Sequence, residues 1–278
     1  MVKKILTVAG SDAGGGAGIQ ADLKTFEEYG TFGLSSITSI LTVSPKTKKP
    51  SIYPIPIDIV EKQLETALSG GALDALKIGL LGSLPVVDLL EKSLTNVNQT
   101  RIVLDPVMAV KTNKDVLQPE LVHAMIQQLI PLADIITPNL VEACILAQMT
   151  EITTENDMMT AAKRIHDLGA KSVIIKGGAR FPGNVATDLY YDGKHFDFIH
   201  EDKLTTTTNH GAGCSFAAAI TAGLAKGLET KNAVKLAKYY VTSAIKNGIF
   251  LNDFTGYVWH GAYLDATKRM NLGDDYHD

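Results

Sequence analysis

Short runs of β-branched residues alternate with amphipathic segments through most of this chain, and that grammar leaves few folds open. Extended runs are predicted at residues 4–9, 33–41, 75–78, 102–105, 135–137 and 172–176. Between them, apolar positions at helical spacing predict helices at 18–29, 58–68, 84–94, 119–129, 139–149 and 155–168. Such alternation builds a mostly parallel central sheet with helices on both faces, a three-layer α/β sandwich. The last three extended runs are nearly all apolar, as strands covered on both sides must be. After them the pattern changes. Residues 187–191 and 195–200 read as a β-hairpin about Asp192-Gly193, a dipeptide that accepts the positive φ of a tight turn. Two helices follow, at 213–226 and 230–247. The lysine- and proline-rich stretch 45–56 has no clear period, and the alternation at 52–57 marks an edge strand or a flap over 43–57. No linker or repeat interrupts the pattern, so residues 1–278 are read as one domain.

Charge and composition exclude several functions. A net charge of −4 and a pI near 6.0 do not suit a general nucleic-acid binder, so any affinity for an anion must be built locally. The two cysteines, Cys144 and Cys214, form no CxxC pair and have no histidine at metal-ligand spacing, which argues against a zinc site or a disulfide framework. The apolar run at 5–10 is too short for a signal segment or a membrane span. The stretch 211–224, rich in Ala and Gly, reads as a closely packed core helix. These features predict a cytoplasmic enzyme with no membrane partner.

Four places could carry chemistry. The loop from Ala9 to Gly18 joins the first strand to the first helix, and its glycines would let backbone approach a ligand or simply make a tight turn. It lacks the Gly-Lys-Ser/Thr ending of a P-loop, and no acidic residue completes a dinucleotide fingerprint. The segment Thr208-Asn209-His210-Gly211-Ala212-Gly213-Cys214 opens the late small-residue helix. Uncovered amides there make a concavity for an oxyanion, and the helix dipole favours a thiolate at Cys214, which could act as a base. A buried small residue in a packed turn is the plainer reading of the same cysteine. In Thr137-Pro138-Asn139-Leu140-Val141-Glu142, Asn139 and Glu142 could form a capping box or could hold the waters of a Mg²⁺ ion. Asp105 ends a buried strand and would point into the same crevice. Lys176-Gly177-Gly178 could flank a nucleotide phosphate or be an ordinary strand-ending turn.

Taken in order, these segments resemble the ribokinase superfamily, and within it the group of hydroxymethylpyrimidine (phosphate) kinases and pyridoxal kinases. The resemblance rests on residues 9–26, Lys77-Ile78-Gly79, Asp105-Pro106-Val107-Met108, Thr137-Pro138-Asn139-Leu140 with Glu142, Lys176-Gly177-Gly178 and His210-Gly211-Ala212-Gly213-Cys214. It implies the ribokinase-like fold, ATP with Mg²⁺, and phosphoryl transfer to a primary alcohol of a vitamin-like ring. It further implies that Gly211, Ala212 and Gly213 form an anion hole, with Cys214 where much of the superfamily has a catalytic aspartate. Asn139 and Glu142, with Asp105, would organise Mg²⁺. Asn139, Lys176, Gly177, Gly178, Asp188 and Gly213 would contact the nucleotide. Gly10, Ala17, Asp22, Leu80, Val107 and Lys111 would line the vitamin side. Pyrimidine kinases of this group carry a glutamine where this chain has Val43, which favours pyridoxal, pyridoxine and pyridoxamine as substrates over hydroxymethylpyrimidine. Some pyridoxal kinases carry a cysteine before the lysine at 111, and this chain has Val110 there. Relatives of this type are commonly homodimers. A non-catalytic vitamin- or nucleotide-binding module and a dinucleotide oxidoreductase are the alternatives outside the kinase class.

Overall fold

The computed structural model describes residues 2–94, 100–108 and 119–273. Strand β1 (Lys4–Asp12) leads through the glycine loop into α1 (Gly18–Glu28), and β2 (Phe32–Val43) returns parallel to β1. An edge strand β3 (Pro50–Pro54) folds back antiparallel on β2. Helix α2 (Ile57–Leu68), strand β4 (Ala75–Ile78), helix α3 (Leu84–Leu94) and strand β5 (Arg101–Leu104) follow. Next come α4 (Pro119–Ala124), β6 (Ile135–Ile136), α5 (Leu140–Ala147), α6 (Glu155–His166) and β7 (Val173–Lys176). The hairpin β8 (Val185–Tyr191) and β9 (Phe196–Asp202) precedes α7 (Ala212–Ala225) and α8 (Thr230–Lys246). The chain closes with a short ladder, β10 (Ile249–Phe250) with β11 (Gly256–Tyr257), and with α9 (Tyr263–Gly273).

One nine-stranded sheet runs in the order β3-β2-β1-β4-β5-β6-β7-β8-β9. It is parallel from β2 to β7 and antiparallel at both margins. Because side chains alternate along a strand, each strand feeds two cores. Leu6, Val8, Leu76, Ile78, Ile102, Leu104, Ile136, Val173 and Ile175 face α2 to α6. Ile5, Ala75, Val103, Ile135 and Ile174 face α1, α7, α8 and α9. Burying each large aliphatic side chain contributes roughly 1.5–3 kcal/mol, so both layers are needed to hold the sheet.

The departures from expectation have local causes. The helix predicted at 119–129 is α-helical only to Ala124 and continues as a wide π turn over Met125–Leu129 and a 3₁₀ turn over Ile130–Leu132. Pro131 has no N–H to donate and crowds the preceding turn, so the regular ladder cannot run through it. The edge strand begins earlier than the alternation at 52–57 suggested, and Ile57 already belongs to α2. The β10–β11 ladder and α9 had no counterpart in the sequence pattern, and the two-residue strands of the ladder leave no periodic signal. Of the described residues, no helix is long and apolar enough to cross a membrane.

Candidate active site

The strand ends carry a polar row on one face of the sheet. Thr7, Lys77, Asp105, Thr137, Lys176 and Asp188 each lie two residues from an apolar side chain of the α1/α7/α8 core, so all six point to that side. Partners come down from the covering helices. Asp22 of α1 receives Lys77 Nζ at 2.9 Å on each carboxylate oxygen and the Thr7 hydroxyl at 2.6 Å. Lys238 of α8 donates to Asp188 Oδ2 at 2.7 Å. Between these pairs, Asp105 Oδ1 accepts from Lys176 Nζ at 2.8 Å and from the Thr137 hydroxyl at 3.1 Å.

Two glycine loops close over this row. Asp12 ends β1 and gathers the first loop, accepting the amides of Gly14 at 2.8 Å, Gly16 at 3.3 Å and Ala17 at 3.0 Å. Burial would raise its carboxyl, but the hydrogen bond with His210 and these amides hold it below the usual range. A carboxylate can only accept, so His210 Nε2, 2.8 Å away, carries the proton of that contact. Asp12 thereby ties the first loop to the loop before α7. There the backbones nearly touch: Gly211 sits at φ +91°, and a side chain on it would overlap the Gly16 carbonyl. Gly18 is equally constrained, with φ +56° and the Gly10 carbonyl where a Cβ would lie.

Helix α7 starts at this junction without a side-chain cap and without an acid in its first turn. The amides of Gly213 and Cys214 therefore face outward unpaired within the helix, which is the geometry of an anion site. Lys176 Nζ lies 3.7 Å from the place of a Cβ on Gly213, so a cation stands beside those amides. The surroundings of Cys214 oppose the thiolate that a helix start favours. Burial pushes the thiol up, and the neighbouring Asp105 and Asp22 add to that, against the opposing pull of Lys77 and the Gly18 amide. The helix dipole is a weaker effect than desolvation here.

The other predicted residues fall as follows. Asn139 caps α5: its side-chain oxygen accepts the amides of Val141 and Glu142, and Glu142 accepts the Asn139 amide at 2.8 Å. The capping box therefore exists, and it occupies the oxygen that Asn139 would offer a metal. Glu142 is buried, and burial together with the Asp105 charge lifts its carboxyl to about 7 despite Lys176 nearby. Lys176 is lifted in turn, because Asp105 and Glu142 outweigh the effect of burial. Gly177 has no room for a side chain beside the Thr187 carbonyl, whereas Gly178, at φ +49°, opens on free space. Asp188 is buried, one oxygen accepting from Lys238 and the other from the Gly178 amide at 3.2 Å, so it holds the glycine turn. Gly10 leaves no room for a side chain between Ser39 and Leu80, and Ala17 directly precedes α1. Leu80 accepts the Thr38 hydroxyl at 2.6 Å, and the Val107 amide folds back on Asp105 at 2.8 Å. Asp22 has no exposed surface, and its oxygens accept from Lys77 and Thr7. Val43 stands at the end of β2, 38% exposed and paired with Pro50. Lys111 and Val110 lie outside the described residues.

Residues 12–259 match the family described as phosphomethylpyrimidine kinase. The chain belongs to the phosphomethylpyrimidine kinase family. Within and around that family, it is 44% identical to the pyridoxine kinase of Bacillus subtilis over 93% of this chain and 96% of that one. It is 41% identical to a hydroxymethylpyrimidine/phosphomethylpyrimidine kinase of Haemophilus influenzae over 94% and 98%. The pyridoxal kinase of Staphylococcus aureus, solved with AMP-PCP and pyridoxal, superposes with a TM-score of 0.89 at 46% identity and 95% coverage of both chains. In this phosphomethylpyrimidine kinase family member, sequence reasoning gave no role to Thr7, Lys77, Thr137 and His210. A signal was available at three of them. Thr7, Lys77 and Thr137 stand two residues from a core aliphatic in an otherwise apolar run, where burial demands a partner.

Proposed function

We propose that the chain transfers the γ-phosphoryl group of ATP to the 5′-hydroxymethyl oxygen of pyridoxal, pyridoxine or pyridoxamine. The observation that carries this is the uncapped start of α7, with two outward amides beside Lys176 and above Asp105, facing the glycine loop of β1. Membership of a kinase family supports the reaction class. The pyridoxine kinase relative, the pyridoxal-bound neighbour and the absence of a glutamine at Val43 favour the pyridine ring over the pyrimidine. The whole chain serves as one kinase domain, and a cytoplasmic site fits the supply of ATP there.

Phosphoryl transfer depends mostly on positioning and charge stabilisation. The Gly213 and Cys214 amides and Lys176 receive the negative charge of the moving group. In its thiolate form, which Lys77 and the Gly18 amide favour against burial, Cys214 takes the proton of the attacking hydroxyl and becomes the thiol as the hydroxyl oxygen bonds to phosphorus and the bond to ADP breaks. Gly177 and Gly178 bring bare backbone to the nucleotide, and Asn139 keeps its side-chain Nδ2 for the same purpose. Asp105 and Glu142 offer hard carboxylate oxygens, and the raised Glu142 marks a pair of acids that a second cation would relieve. Among the described residues no three His, Cys, Asp or Glu side chains converge as a complete cation cage. Two hard oxygen donors suit a Mg²⁺ ion that keeps much of its water. Bound there, the ion would neutralise phosphate charge.

Cys214→Ala should lower turnover at least tenfold while the affinity for ADP, measured by calorimetry, changes little. Unchanged turnover removes the proton acceptor from the reading. Turnover of pyridoxal compared with hydroxymethylpyrimidine at equal ATP decides the ring, and preference for the pyrimidine overturns our choice.

We also propose a homodimer built on the β2–β3 margin. Ile40 and Tyr53 pair on one side of this hairpin, and Val43 and Ile52 lie on the other, all at least 38% exposed. A hairpin apolar on both sides needs cover on both, and its prolines block simple strand addition. A second copy of the chain supplies that cover.

A further inference from the structure

Lys77 is a buried charge with no part in the transfer step itself. Its side chain and that of Asp22 have no exposed surface, and such a pair gains little stability over an apolar pair of similar shape. Its place in the core therefore asks for another purpose. The geometry around it is specific. Thr7 of β1 is the register partner of Lys77 on β4, and its hydroxyl fixes one oxygen of Asp22. Lys77 gives one proton to each Asp22 oxygen, both at 2.9 Å. An ammonium has three protons, and among the described residues no further acceptor is hydrogen-bonded to Nζ. Gly79 clears the space, since a Cβ there would sit 3.0 Å from Nζ. Lys77 projects from the sheet face on which α7 packs, and the first turn of that helix carries Cys214.

We propose that Lys77, clamped by Asp22 and Thr7, is a positioning residue that fixes a buried positive charge under Cys214 and so sets how readily that sulfur accepts the substrate's proton. The inference rests on the proton-accepting role of Cys214 given above. The charged groups facing the sulfur are Lys77 from β4, Asp22 from α1, Asp105 after β5 and Lys176 from β7, with the Gly18 amide at the start of α1. Lys77 leads those that favour the thiolate. Asp22 both holds the ammonium and partly offsets it, so the two residues act on the sulfur with opposite sign.

The test reads the sulfur directly. In a Cys144→Ser background, the rate of Cys214 alkylation by iodoacetamide is followed against pH in the intact protein, alongside the pH profile of kcat/KM. A Lys77→Met/Asp22→Leu double variant replaces the ion pair with apolar groups and keeps a filled core. It should move both profiles to higher pH, with alkylation near neutrality slowed about tenfold when the profile moves by a full pH unit. Asp22→Asn, where it folds, should move both the other way. An alkylation profile in the folded double variant that coincides with the parent's overturns the proposal. That outcome is separate from failure of the Cys214 role, which shows as full turnover in Cys214→Ala.

Discussion

At the scale of single residues, the site is governed by desolvation. Cys214 sits at a helix start, yet burial raises its thiol, while Glu142 is lifted to about 7 by burial and the nearby Asp105. The raised Glu142 carboxyl makes stability depend on pH. The folded state holds this proton more tightly than the unfolded chain, whose carboxyl titrates near 4.5. The proton's contribution is complete below about pH 4.5 and is lost as pH rises through about 7. Glu142→Gln keeps an acceptor for the Asn139 amide and removes the titration. In nucleotide-free protein, the variant should gain on the parent by on the order of 2 kcal/mol between about pH 5 and pH 8. Urea unfolding at several pH values measures this, and a constant difference between the two proteins contradicts it.

At the scale of elements, α7 is the part on which most depends. From Ser215 to Ala225 every residue is buried, between the sheet and α8. Its run of Ala and Gly is what lets the helix lie close enough to bring its N-terminus over the strand ends. Ala218 has no exposed surface, so Ala218→Leu should force the layers apart and cost about 1–3 kcal/mol. It should also reduce kcat, because the first turn moves with the helix. A thermal-unfolding midpoint and turnover equal to the parent's would show that the layers have room to spare around α7. The hairpin was legible for a different reason: Gly193, at φ +90°, and Asp192, whose carboxylate takes the Lys194 amide at 2.8 Å, make a turn that the dipeptide alone announces. The tail was not legible. Tyr257 and Val258 meet His210 through backbone pairing, and such short contacts leave no pattern in the chain.

At the scale of the whole molecule, the flap and the last loop meet. Lys48, at the tip between β2 and β3, pairs with Asp253 at 3.1 Å and lies 3.8 Å over the Phe254 ring. This contact is exposed and worth little by itself. The apolar hairpin behind it is the larger feature. Ile52→Glu combined with Tyr53→Glu should convert a dimeric parent to monomer in light scattering while circular dichroism stays unchanged. A parent that is monomeric at micromolar concentration overturns the dimer. What the sequence determined by itself was local: strand and helix periods, the glycine-opened start of α7, the Asp-Gly turn and the Asn139–Glu142 cap. Each of these depends on neighbours within a few residues. The tertiary structure alone decided which polar groups answer one another. Asp22 and Lys77 are 55 residues apart, Asp105 and Lys176 71, and Asp12 and His210 198. Strand order and helix packing bring those partners together, and no period along the chain records a contact made across the sheet.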